Sequence, residues 1–292
     1  MPAHHVPAPV FRRAAARPAA AALLLALGLA GCAGPGAPQA QDNARFERAS
    51  QCRHCDLRYL DASGRRFAQL HLVGAYLFNA NLSGVQVRLG HFESANLELG
   101  NLERAQILDA RFDRAVLIAA NLAGATLVRA SMTRLSGRDA NFDAADTSGA
   151  DLTTADLRGA SLVHVFAEGT RFVSAELARA NFTRAQLSGA AFSNAHMQDA
   201  VLARAQLGFA DFRGARLKGA DLSRARLAFA NLSSADLQGA DLQGADLTGA
   251  NFTHADLREA NLRGAEVGSA LLETALLCGA TLPDGSQAPC NR

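Results

Sequence analysis

Residues 230–249 read ANLSS-ADLQG-ADLQG-ADLTG: four five-residue units in which an alanine, an Asn or Asp, and a leucine keep fixed places. The same phase persists outward in both directions. Between Leu57 and Leu282 every fifth residue gives 46 positions, of which 42 are Leu, Phe, Val, Ile or Met; the exceptions are Ala62, Gly137, Thr147 and Ala167. Two residues before these positions the chain is nearly always alanine, without a break from Ala175 to Ala280. A helix repeats near 3.6 residues and a strand at 2, so neither accounts for a period of five. A short fixed period kept over most of a chain marks a solenoid, in which each turn stacks on the last.

The unit A-(N/D)-(L/F)-x-x, as in Ala150-Asp151-Leu152-Thr153-Thr154, resembles the pentapeptide repeat family over roughly residues 52–282. The resemblance implies an all-β fold: a right-handed quadrilateral β-helix with four pentapeptides per coil, about eleven coils and a rod on the order of 50 Å. The physical chemistry of the residues agrees. A narrow closed coil fills to normal density when one large and one small apolar side chain point inward from each side, so alanine recurs because nothing larger fits beside Leu or Phe. Asn and Asp suit corners, since their side chains hydrogen-bond nearby backbone. Leu60, Arg65 and Leu70 stand where alanine is expected. Two stretches, Leu135–Arg138 and Val165–Thr170, depart from the pattern and are expected to leave the coil as bulges or short loops.

Residues 1–31 carry Arg12, Arg13 and Arg17 ahead of an apolar run from Ala19 to Ala30, with no acidic residue, which is the pattern of a secretory signal. It ends Leu29-Ala30-Gly31-Cys32, resembling a bacterial lipobox, which implies acylation of Cys32 and cleavage before it. Ala33 after the cysteine, rather than Asp, favours the outer membrane by a bacterial sorting rule. Residues 32–51 then hold the lipidated cysteine, a Pro/Gly-containing tether over 33–41, and a short helix expected over 43–51 covering the first coil. Without the three arginines of the leader the net charge falls from +2 to −1. That balance is unlike a nucleic-acid binder, and no nucleic-acid partner is expected.

Setting Cys32 aside leaves Cys52, Cys55, Cys278 and Cys290, two pairs at opposite ends of the rod. Disulfides bridge Cα atoms within about 7 Å, so the solenoid excludes end-to-end bridges and Cys52–Cys55 and Cys278–Cys290 are expected. The segment Cys52-Arg53-His54-Cys55-Asp56-Leu57 also resembles the entry of many pentapeptide repeat proteins, and Cys278–Gly285 their exit. The competing readings of Cys52, His54 and Cys55 are a metal site, which lacks a second ligand pair at suitable spacing, and a redox motif, which lacks a βαβ setting. Leu271 and Leu276 occupy usually polar slots. Either the tail 283–292 folds back over them, pinned by Cys290, or they form a dimer contact.

Twenty residues per coil would place residue n beside n+20. Arg184, Arg204 and Arg224 then form a column above His164 and Arg104, with Phe209 and Phe229 stacked on the adjoining side near Phe166 and Arg226. Arg and Phe are enriched at protein contacts; the alternative is that an Arg-rich chain scatters arginine over solvent-facing slots. His71 and His91 also stack, but Arg111 continues their column and opposes a metal. Asp236 with Asp256, and Asp221 with Asp241, fill the Asn/Asp slot of the repeat. No catalytic order of residues, no phosphate-binding loop and no metal motif emerges, so neither catalysis nor a cofactor is expected. The sequence points to a non-catalytic, membrane-tethered protein-binding or structural scaffold facing the periplasm. The alternative is a DNA-mimicking, topoisomerase-binding protein of the quinolone-protection type, which the export signal and near-neutral charge disfavour.

Overall fold

The computed structural model describes residues 38–290; the leader and Cys32 lie outside the described residues. Each pentapeptide forms one side of a coil. The residue after the alanine pairs in parallel with the residue twenty further on, from Gln51 with His71 to Asn261 with Thr281. On one side of the first coils these pairings lengthen into β1 (Arg66–His71), β2 (Gln86–His91) and β3 (Gln106–Ile107), with Arg66 opposite Gln86 and Gln86 opposite Gln106.

The local chemistry repeats at each corner. Leu232 N–H donates up the stack to Asn251 O (2.7 Å), and Asn251 N–H donates down to Ala230 O (2.9 Å). The Ala235 N–H closes a turn onto Leu232 O (3.1 Å), with Ser234 at φ 57°, as the third residue of a type II turn requires. The Asn/Asp slot fixes that turn from outside: Ser233, Gln238 and Thr248 donate backbone N–H to Asn231, Asp236 and Asp246 Oδ1, each at 3.1 Å. Inside, Leu152 and Leu232 are buried, and Phe172, Phe192 and Phe212 stack at 4.9 and 4.8 Å with Phe182 edge-on.

Leu135–Arg138 and Val165–Thr170 do not leave the coil. Ser136 pairs with Val116 and Asp156, and Phe166 with Asp146 and Gln186, all in register. What changes is the division of volume. Where the large slot shrinks to Ala62, Gly137 or Ala167, the alanine slot before it grows to Leu60, Leu135 or Val165, and all of these but Gly137 are buried hydrophobics of the core. A Cβ added to Gly137 would lie 2.8 Å from Leu135 Cδ2 and 2.9 Å from Leu157 Cδ2, so Leu135 fills the space that Gly137 vacates. The fourth exception, Thr147, is fully buried and accepts at its carbonyl a 2.7 Å hydrogen bond from Thr170 Oγ1, itself in an alanine slot.

At the N-terminal end, α1 spans Pro38–Ala49 and so begins inside the stretch expected to be tether. Proline suits a first helical turn, and the Gln, Ala, Arg and Glu that follow sustain it. Phe46 is fully buried, 5.8 Å from the Phe67 ring. Arg65 cannot enter the alanine slot; its guanidinium lies over both rings and pairs with Glu47 at 2.7 Å. At the other end the tail does not cover Leu271 and Leu276, which stay 47% and 54% exposed. It turns at Gly285 and runs antiparallel to the last side, with Thr281 pairing with Gln287 and Ala288 N–H donating to Ala280 O (2.8 Å). The turn comes directly after Leu282, so residues 286–288 lie along Gly279–Leu282 rather than over the exposed leucines. Among the described residues no helix is long and apolar enough to cross a membrane.

Candidate protein-contact surface

The twenty-residue register brings the predicted patch together. Arg184, Arg204 and Arg224 occupy equivalent corner positions in successive coils, at φ 58°, 60° and 56°, with exposed side chains. The next side carries Phe166, Gln186, Gln206 and Arg226 in an unbroken parallel ladder. At the following corner the rings of Phe209 and Phe229 stack at 5.3 Å and 12°, 70% and 57% exposed. Ser188, Gly208 and Ala228 keep the strip between ladder and rings flat. Gly249 supports it from the next coil: a Cβ there would lie 2.6 Å from Phe229 ring carbons, so the ring rests over bare backbone. The surface is about 15 Å tall, three coil spacings, with Phe166 at its N-terminal edge.

Electrostatically these arginines differ from others on the rod. Arg58, Arg158, Arg213 and Arg258 each clamp the Asp two residues earlier, at 2.6–2.7 Å. Among the described residues no carboxylate lies within ion-pair distance of Arg184, Arg204, Arg224 or Arg226, and Arg226 reaches only Gln206 (3.5 Å). The patch is therefore a column of uncompensated guanidinium groups beside a stacked apolar pair.

The clamps carry a pH consequence. Side-chain hydrogen bonds from Arg58, Arg158, Arg213 and Arg258 hold the carboxyls of Asp56, Asp156, Asp211 and Asp256 below the ordinary carboxylate range. A depressed folded-state pKa gives stability that is present above the unfolded value, near 4, and is lost as pH falls through the folded value. The melting temperature should stay flat from neutrality to about pH 4 and fall below it, by a small amount that high salt diminishes, because the pairs are exposed. Arg158→Gln should remove part of the stability present above pH 4 and make the fall below it shallower, as followed by thermal melts across the pH range.

The other sequence candidates separate. Cys52 is joined to Cys55 and Cys278 to Cys290, with Cα atoms 5.4 and 4.4 Å apart. Asp42, Cys52 and Cys55 are the one cluster of potential ligand atoms among the described residues, and its sulfurs bond each other, while the His54 ring lies over Gly74. His71 and His91 stack at 4.6 Å, and His91 Nδ1 meets Glu93 Oε1 at 3.2 Å. Burial, then the neighbouring His91, pushes the His71 imidazole below its usual value. Asp221, Asp236, Asp241 and Asp256 each accept a backbone N–H at their own corner. One feature escaped the sequence reading: Tyr59, Tyr76 and Phe78 line an open cleft with Asp56, Arg58 and Asn96 near the N-terminal end. Laying out the exposed slots of the weak first copies in twenty-residue columns would have found it.

Comparison with known proteins agrees with this architecture. Eight copies of a family model described as pentapeptide repeats match within residues 95–134 and 138–266. The chain is 30% identical to HetL, a pentapeptide repeat protein involved in heterocyst differentiation regulation from the cyanobacterium Nostoc sp. strain PCC 7120; the match covers 85% of this chain and 98% of that one, with a TM-score of 0.35. It is 21% identical to QnrB1, a plasmid-mediated fluoroquinolone resistance protein, over 77% of this chain and 92% of that one, also at 0.35. A pentapeptide repeat protein of the Arabidopsis thaliana thylakoid lumen matches at 30% identity over 37% of this chain and 69% of its own, at 0.27. No curated protein matches. Because the repeat model matches more than half of the chain, the chain belongs to the pentapeptide repeat family, whose members fold as right-handed β-helices.

Proposed function

We propose that the protein is a rigid protein-binding rod of about eleven coils, held on the bacterial envelope by acylated Cys32 and facing the periplasm, on the outer membrane by the residue after the cysteine. Members of its family are in general non-catalytic structural or binding proteins. The observation that carries the reading is the column of uncompensated Arg184, Arg204 and Arg224 beside the exposed Phe209–Phe229 stack. Desolvated arginines and aromatic rings contribute most where proteins meet, and the rod's backbone holds them at fixed spacing before any partner arrives. The open sheet edges at each end invite aggregation; α1 protects one, and the tail, pinned by the Cys278–Cys290 bridge, part of the other. An oxidising periplasm keeps both cystines. A DNA-like acidic face, which a topoisomerase-binding reading requires, is the opposite of this surface.

The patch is tested by crosslinking the lipidated protein in envelope extracts and identifying what co-purifies. Arg204→Glu and Phe229→Asp should each reduce recovery of a specific partner, whether a different envelope protein or a second copy, at least tenfold. Unchanged recovery in both variants removes the patch. Metabolic palmitate labelling should disappear in Cys32→Ser, and labelling that persists removes the anchor.

A further inference from the structure

The point where the chain enters the described body coincides with its aromatic cleft. Gln39 Nε2 donates to the carbonyl of Arg58 (2.5 Å), and Asp42 Oδ2 accepts the N–H of Asp56 (2.8 Å). Tyr59 follows directly. It is 64% exposed, Tyr76 is 57% exposed, and Tyr59 meets Phe78 edge to face at 6.0 Å. With His54, Asp56, Arg58 and Asn96 they line an open cleft of about 480 Å³. Only five residues separate Cys32 from Pro38; at full extension the six steps span about 20 Å, so a lipid on Cys32 keeps this cleft within reach of the bilayer surface.

The cleft's chemistry suits that place. Tyrosine presents an apolar body and a polar tip, and such rings concentrate where hydrocarbon gives way to headgroups. Arg58 is already neutralised by Asp56 at 2.6 Å, so the cleft does not require an anionic lipid. The α1 helix offers water a polar exterior of Gln41, Arg45, Glu47 and Arg48, so the side wall of the rod, rather than its end, carries the apolar surface. Tyr76 also lies in the ladder two sides away from the one holding Phe166 and Arg226. In a four-sided coil these are opposite walls, and seating one on the membrane turns the arginine patch away from it.

We infer that the Tyr59–Tyr76–Phe78 cleft is a membrane-seating surface that rests in the headgroup region of a phospholipid bilayer. This inference rests on the lipid anchor proposed above. The chain has no tryptophan and two tyrosines, both in the cleft, so its intrinsic ultraviolet emission reports on this site alone. The test uses residues 32–292 with the Cys32 thiol coupled to a maleimide lipid in phosphatidylcholine vesicles, with and without brominated acyl chains. Brominated lipid should quench tyrosine emission at least twofold. Relocating the probe to the opposite wall with Tyr59→Phe, Tyr76→Phe and Phe209→Tyr should abolish the quenching. Emission indifferent to bromine, or equal quenching of the relocated probe, overturns the inference. Because the tether is chemical, either negative result rejects the cleft without bearing on acylation in the cell, which the palmitate experiment reads separately.

Discussion

Phe192→Ala is expected to lower the free energy of unfolding by about 3–5 kcal/mol. The ring is fully buried in a column between Phe172 and Phe212, at 4.9 and 4.8 Å, with Phe182 edge-on at 5.9 Å. Truncation removes the transfer energy of a large apolar side chain and leaves a cavity. The surroundings cannot collapse into it, because backbone hydrogen bonds set the coil spacing on both sides: Phe172 N–H to Ala191 O at 2.6 Å, and Phe192 N–H to Asp211 O at 2.7 Å. In a stacked rod each coil touches only its neighbours, so the loss should be local. Urea unfolding should show the decrease, and hydrogen exchange should show lost protection centred on residues 172–212 and little change near Leu82. A decrease below about 1 kcal/mol, in the range of surface substitutions, contradicts the packing described.

The exchange of large and small residues at Leu135 and Gly137 makes a second strong prediction. Leu135→Ala should cost about 2–5 kcal/mol, since a buried leucine is removed beside a glycine that cannot refill the space. Gly137→Leu should cost about 1–3 kcal/mol or more through overpacking, because even a Cβ there would come within 3 Å of both Leu135 and Leu157. The double variant Leu135→Ala/Gly137→Leu restores the usual order of the unit, and should be more stable than either single change, a favourable coupling between touching residues. The measurement is a double-mutant cycle by urea denaturation. Additive losses would show that the two residues do not share one space.

The fold was legible because its determinant is one-dimensional. A five-residue phase carried by Leu57 through Leu282 implies coil, interior and corner together, and the Asn/Asp slot announces its own hydrogen bond. The columns of Arg184, Arg204 and Arg224, and of Phe209 and Phe229, followed from adding twenty. The bulges expected at Leu135–Arg138 and Val165–Thr170 did not form, because the pattern judges each slot by itself whereas packing judges the sum of two. Leu135 with Gly137 has the volume the coil needs in either order. The ends were the least legible part. Nothing periodic marks Pro38 as the start of a helix, and the path of the tail is set by the turn at Gly285 rather than by the exposed Leu271 and Leu276. The cleft of Tyr59, Tyr76 and Phe78 sits in weak first copies, in outward slots whose residue types the repeat does not constrain.

Residue n stacks beside n+20 through the whole rod, and spin-label distances measure this directly. Ser83, Thr183 and Arg263 share one outward column, five and nine coils apart. With Cys32 replaced by Ser, label pairs at 83/183 and 83/263 should give distances of about 24 and 43 Å, growing in proportion to the number of coils. A 83/263 distance equal to or shorter than the 83/183 distance would contradict the stacked coil.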